Sequence, residues 1–152
     1  MVIRRLAGFT LVEILIVVAV LAVLLSAGIP AFTEFVREQR VKTASFDLFS
    51  TLVHARSEAI TRNAAVTVTP VSAEWTNGWT VTDAGGAVLR TMGAVPNLTI
   101  TGPTNVVFRG SGRLNAVSMP TFQLSASGAT VTTRCISIDL SGRPTTKAAA
   151  CS

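Results

Sequence analysis

The sequence predicts an α+β chain: one long N-terminal α-helix, its first half transmembrane, packed on a mostly antiparallel β-sheet domain. Three observations predict it. An almost uncharged apolar run opens the chain, headed by a lone carboxylate, Glu13. Further along, Leu48, Leu52, Ala55 and Ala59 recur at spacings of four, three and four, an apolar stripe for one helix face. Beyond Asn63 the chain changes to short β-branched segments separated by Gly, Pro and Asn, the pattern of strands and turns.

The apolar span Phe9–Gly28 is about 20 residues, or roughly 30 Å as a helix, which matches a hydrocarbon core. Arg4 and Arg5 are the only charges before it and favour a cytoplasmic N-terminus. A secretory signal would end in a small-residue cleavage site after the apolar stretch. Here the marked site, Gly8-Phe9, lies before it, so a cut would remove the basic leader and keep the helix. The cut would also create an α-amine on Phe9, largely protonated at neutral pH. Glu13 sits four residues along, close to one helical turn away. A charge at membrane depth costs about 2.5–3.5 kcal/mol, so Glu13 is expected to meet a cation. That cation is the new amine of its own chain or of a neighbouring subunit. The alternative is a plain signal-anchor with one tolerated Glu near the interface.

After this span the helix is expected to continue to about Arg62 and stop near Asn63. Pro30 removes a backbone donor and crowds the preceding turn, so a kink is expected there. Arg37, Glu38, Arg40 and Lys42 form a more polar stretch between the anchor and the apolar stripe. Arg56, Glu58 and Arg62 stand at helical spacing and suit surface ion pairs. Expected strands cover Ala65–Thr69, Ala87–Thr91, Leu98–Thr101, Val106–Phe108, Thr121–Ser125 and Thr130–Leu140, with Ser127-Gly128 dividing the last two. Asn77-Gly78 between Trp75 and Trp79 reads as a hairpin turn, with the tryptophans as packing residues. Ser141-Gly142 reads as a turn into the tail.

The organisation is therefore 1–8 leader, 9–29 transmembrane helix, 30–63 periplasmic half of the helix, and 64–152 β-rich globular domain. Cys135 and Cys151 are the only cysteines, and the topology puts them in a compartment that permits disulfides. A bridge would close a loop of roughly 15 residues, worth about 3 kcal/mol in the chain-entropy model. The alternative is two free thiols; two cysteines without a histidine pattern make a poor metal site. His54 is the sole histidine and has no partner set for catalysis. The chain carries a formal net charge of +5 at pH 7. From Thr101 onward Arg109, Arg113, Arg134, Arg143 and Lys147 face Asp139 alone, a basic excess fit for an acidic partner or polyanion.

The string Gly8-Phe9-Thr10-Leu11-Val12-Glu13 and the apolar run behind it resemble the class III leader of type IV pilins and type II secretion pseudopilins. The resemblance implies cleavage between Gly8 and Phe9 by prepilin peptidase, N-methylation of Phe9, and pairing of Glu13 with the N-terminal amine of an adjacent subunit during assembly. Pro30 corresponds to a proline that many pilins carry. Further strings resemble the GspH/FimT family: Leu52–Asn63 followed by Val66, Trp75–Trp79, Val107-Phe108 before Gly112-Arg113, and Cys135–Arg143. The C-terminal cysteine pair resembles FimT/FimU-type minor pilins.

Three readings follow from the resemblance. The leading one is a minor pilin, a structural subunit that supports assembly of a type IV pilus, with the major and other minor pilins as partners. It would begin as a single-pass inner-membrane protein with a periplasmic C-terminal domain and end in the filament, with the tip as a candidate position. The second is a DNA-binding minor pilin for uptake in natural transformation. Some FimT proteins bind DNA through Gly-Arg-x-Arg; here the string is Gly142-Arg143-Pro144-Thr145, so Arg143 matches, Thr145 departs, and Lys147 and Arg134 are the further phosphate contacts. The third is a minor pseudopilin of type II secretion. No nucleophile–base set, metal-ligand cluster or phosphate loop supports an enzyme, and no cofactor or metal is implied.

Overall fold

The structure, a computed structural model, describes residues 8–126 and 131–151, and within the first helix the side chains of 27–31 lie outside the description. The basic leader and the Ser127-Gly128 turn also lie outside it, as does the side chain of Pro30, on which the expected kink rests.

Helix α1 runs Leu11–Arg62. Thr10 caps it: the Glu13 amide donates to Thr10 Oγ1 at 3.2 Å, satisfying one of the free donors of the first turn. At the other end Asn63 adopts φ 48°. Its amide bonds to Ile60 O at 3.2 Å while the Ala64 amide reaches Ala59 O at 3.2 Å. A left-handed Asn closing the last carbonyls is a common helix stop, so the end predicted near Asn63 has a local cause. By internal packing the chain divides into one unit up to Val36 and another from Arg37 onward.

In the first unit every described side chain from Leu11 to Ser26 is exposed. A helix that is apolar all round is built for lipid or for other helices. No described stretch is by itself long and apolar enough to cross a membrane; the run is described only as far as Ser26.

Among the described residues, the second unit holds eight strands in two antiparallel sheets. They are β1 (Val66–Val71), β2 (Glu74–Asp83), β3 (Val88–Met92), β4 (Leu98–Thr101), β5 (Val106–Phe108), β6 (Thr121–Ala126), β7 (Arg134–Ile138) and β8 (Pro144–Lys147). Sheet A has the order β3-β2-β1-β5, and sheet B the order β4-β6-β7-β8. Alternation sets the faces: Val66 and Val68 of β1, and Phe122 and Leu124 of β6, are fully buried while their neighbours are not. These inner faces share one core with the α1 stripe Val41, Ala44, Leu48, Leu52, Ala55 and Ala59. Trp79 is fully buried against it, and its Nε1 donates to Thr51 Oγ1 at 3.1 Å. Trp75 meets Phe122 edge-on at 4.7 Å and donates to Pro103 O at 2.8 Å, joining the two sheets.

Two expectations are corrected. Asn77-Gly78 is not a hairpin turn: β2 runs straight through it, and the turn lies earlier, at Ser72-Ala73, where both residues have positive φ. Gly78 is needed for close approach instead, since a Cβ there would lie 2.2 Å from Met92 O of β3. The C-terminal tail is not a plain tail either. Pro144–Lys147 adds to β7 as the fourth strand of sheet B.

Candidate functional site

Glu13 is exposed in the first turn of α1, at the third helical position behind Thr10. Thr-Leu-Val-Glu thus has the form of a capping box, and the Thr10 half of it is made. A carboxylate here also suits the positive end of the helix dipole, by about 0.3–1 kcal/mol. The sequence reading missed this local reason for an acid at the helix start, although Thr-x-x-Glu before an apolar run was its signal. Gly8 and Phe9, the expected cleavage pair, are exposed ahead of the cap.

Cys135 and Cys151 are bonded. Cys135 pairs across the sheet with Gln123 and Lys147 on the face of sheet B turned away from α1. The tail after β8 therefore folds over that outer face. There the Cys151 amide donates to Gln123 Oε1 at 3.3 Å.

The three basic residues named as candidate phosphate contacts do not share one face. Arg134 pairs with the buried Leu124 and lines a groove against α1. Lys147 pairs with Cys135 on the opposite face. A strand period of two puts neighbours in sequence on opposite faces, and the alternation decides this pair. Arg143 stands at the far end of β8, in a turn.

That turn has a twin. Residues 109–113 and 139–143 both end in Ser-Gly-Arg. In the first, the Arg109 amide bonds to Arg113 O at 2.8 Å and the Gly112 amide to Arg109 O at 2.7 Å; in the second, the Asp139 amide bonds to Arg143 O at 3.1 Å and the Gly142 amide to Asp139 O at 2.8 Å. Gly112 has φ 74° and Gly142 φ 85°. The two turns touch: a Cβ on Gly142 would lie 2.0 Å from Gly112 O. Arg56 clamps the pair from α1, its Nε donating to that same carbonyl at 3.1 Å. Arg56 is thus not the surface ion-pair residue expected from spacing; the ion pair forms between Arg62 and Glu58 at 2.8 Å. Each twin turn ends in an exposed arginine, Arg113 and Arg143. Asp139 accepts the Ser141 hydroxyl and the Arg143 amide, and these bonds hold its carboxyl below the usual range.

His54 Nε2 lies 3.8 Å from Glu58, and its Nδ1 is buried without a partner among the described residues. Among the described residues no group of three His, Cys, Asp or Glu could hold a metal ion.

Residues 44–142 match the family model for type II transport protein GspH, and residues 3–29 match the prokaryotic N-terminal methylation motif. The type IV minor pilin FimU of Pseudomonas aeruginosa strain PAO1 is similar in two crystal forms. In space group P21 it is 25% identical over 74% of this chain and 92% of its own, with a TM-score of 0.65. In space group P65 it is 26% identical over 70% and 91%, with a TM-score of 0.62. No curated protein sequence matches. The GspH model covers most of the chain and the methylation motif its start, so the chain belongs to the GspH family of type IV pilin-like proteins, whose members are structural subunits.

Proposed function

We propose that this protein is a minor pilin of a type IV pilus. The carrying observation is the likeness to FimU, which spans nearly all of that chain's length at 25% identity. The all-round apolar surface of Leu11–Ser26 supports a helix that lies first in the inner membrane and then among other pilin helices. In this reading prepilin peptidase cuts between Gly8 and Phe9, Phe9 is N-methylated, and Glu13 pairs with the amine of an adjacent subunit. The capping geometry supplies a discriminating test. Glu13→Gln keeps a side chain that serves a capping box but removes the charge. Pairing requires both Glu13→Gln and Glu13→Leu to be lost from sheared pili while staying in the membrane. Normal recovery of Glu13→Gln in pili would reject the pairing role. The family model's own description names type II transport. A deletion strain scored for pili and for protein secretion separates pilus from pseudopilus.

The stacked turns favour a second reading, DNA binding. Thr145 stands where a second arginine would be, and Arg113 on the touching twin turn supplies a cation from elsewhere in the chain. Such contacts go to phosphates and weaken steeply with salt. A mobility shift with the detergent-solubilised chain should weaken with Arg113→Gln and with Arg143→Gln, and barely change with Lys147→Gln. Binding insensitive to both arginines would reject this surface.

A further inference from the structure

We propose that the groove between α1 and the free edge of β8 receives an extended, carboxylate-bearing segment of a neighbouring pilin-like subunit, which adds to sheet B as a fifth strand. This rests on the filament-subunit reading and names a contact within it.

Four observations carry it. First, β8 is the terminal strand of sheet B, so one of its edges has no strand partner among the described residues. Such an edge is a template for another chain. Second, a groove of about 350 Å³ adjoins β8, lined by Lys42, Ser45, Phe46 and Phe49 of α1 together with Arg134 and Thr146. Phe49 packs against the core, but Phe46 is 70% exposed, an aromatic face left in water on a folded domain. Third, the groove holds a cation with no close side-chain partner. The Glu38 carboxylate is taken by Lys42 at 2.8 Å and reaches Arg134 only through its field, and the Arg134 side chain makes no hydrogen bond or ion pair of its own among the described residues. A guanidinium beside an apolar wall is matched by a carboxylate next to an apolar side chain. Fourth, the Cys135–Cys151 bond draws the tail onto the opposite face of sheet B, away from this groove.

The edge is also limited. Pro144 begins β8 and Lys147 ends it. Proline and lysine at an edge discourage open-ended pairing, so the site suits one short segment rather than a growing sheet. The incoming strand would place an apolar residue over Phe46 and Phe49. An Asp or Glu two positions away, on the same strand face, would reach Arg134.

The test uses the full chain in sheared filaments, with the photo-crosslinking residue p-benzoylphenylalanine placed at Thr146, at Phe46 or, as a control, at Val18. Adducts are mapped by mass spectrometry. The expected result is that Thr146 and Phe46 both label one extended segment of one pilin subunit, with an acidic residue beside an apolar one. Arg134→Glu should cut that labelling by about tenfold and Arg134→Lys should retain most of it, with tryptophan fluorescence unchanged in both. Pilin adducts from Val18 but none from Thr146 or Phe46 would overturn this docking and leave the filament reading standing. So would labelling of a helix, of lipid or of DNA from the groove positions. No pilin adduct from any of the three would overturn both.

Discussion

Gly142→Ala should be far more damaging than Gly86→Ala, although both glycines have nearly the same backbone angle, φ 85° and 83°. The strain of an L-residue in this left-handed region is about 1–2 kcal/mol, partly offset by about 0.4–1 kcal/mol from a stiffer unfolded chain. At Gly86 nothing lies within 4 Å of the added methyl, so that net of about 1 kcal/mol is the whole effect. At Gly142 the methyl would sit 2.0 Å from Gly112 O and 3.2 Å from Arg56 Nε. Relieving the first contact separates the twin turns by roughly 1 Å and breaks the Arg56 hydrogen bond to Gly112 O. A bond to a charged donor contributes about 1.5–3 kcal/mol, and half-exposure of Arg56 reduces this to about 1–2 kcal/mol. Gly142→Ala should therefore cost about 2–3 kcal/mol, some 1–2 kcal/mol more than Gly86→Ala. For a domain of this size that difference lowers Tm by about 4–8 °C. The assay is thermal and urea unfolding of the full chain in detergent, followed by fluorescence of Trp75 and Trp79. Adding Arg56→Met to Gly142→Ala should cost little more, because the shared contact is already gone. Equal losses at Gly86 and Gly142, within about 0.5 kcal/mol, would refute the stacked-turn argument.

Removing the Cys135–Cys151 bond by Cys135→Ser with Cys151→Ser should cost about 3 kcal/mol, read as the change in urea midpoint; a reductant should affect only the parent chain. Thr51→Val leaves the buried Trp79 indole N–H unpaired and should cost about 1–3 kcal/mol, with a shift in tryptophan emission as a second readout. The Asp139 carboxyl titrates below its ordinary value of 3.8, chiefly through the Ser141 hydroxyl and then the Arg143 amide. A lowered folded-state pKa means the contribution is present above pH 3.8 and is lost as pH falls through the folded value. Asp139→Asn should therefore flatten the stability profile below pH 3.8, as measured by urea midpoints across that range.

Much of the architecture was legible because its causes are local. The apolar stripe from Leu48 to Ala59 and the stop at Asn63 both act within a few turns of helix. Leu98–Thr101 and Val106–Phe108 were read to the residue because Pro and Gly bracket both. Asn77-Gly78 misled for the converse reason. A turn dipeptide competes with the burial of Trp75 and Trp79 on either side, and keeping both rings in the core favours a continuous strand. The candidate site was legible only in part. Thr10 and Glu13 meet at helical spacing, and count and compartment made Cys135 and Cys151 a candidate pair beside the free-thiol alternative, which the structure resolves as a bond.

What the chain order determined by itself is therefore the helix and its cap, the apolar N-terminal surface, the strand-rich second half and the candidate bridge. Hydrophobic period, capping and turn chemistry act over neighbours in sequence. What only the tertiary structure decided is which distant residues share a face. It put Arg134 and Lys147 on opposite sides of sheet B, brought Gly112 against Gly142 under Arg56, and made a strand of Pro144–Lys147. Those outcomes depend on register and on contacts across tens of residues, which no local pattern encodes.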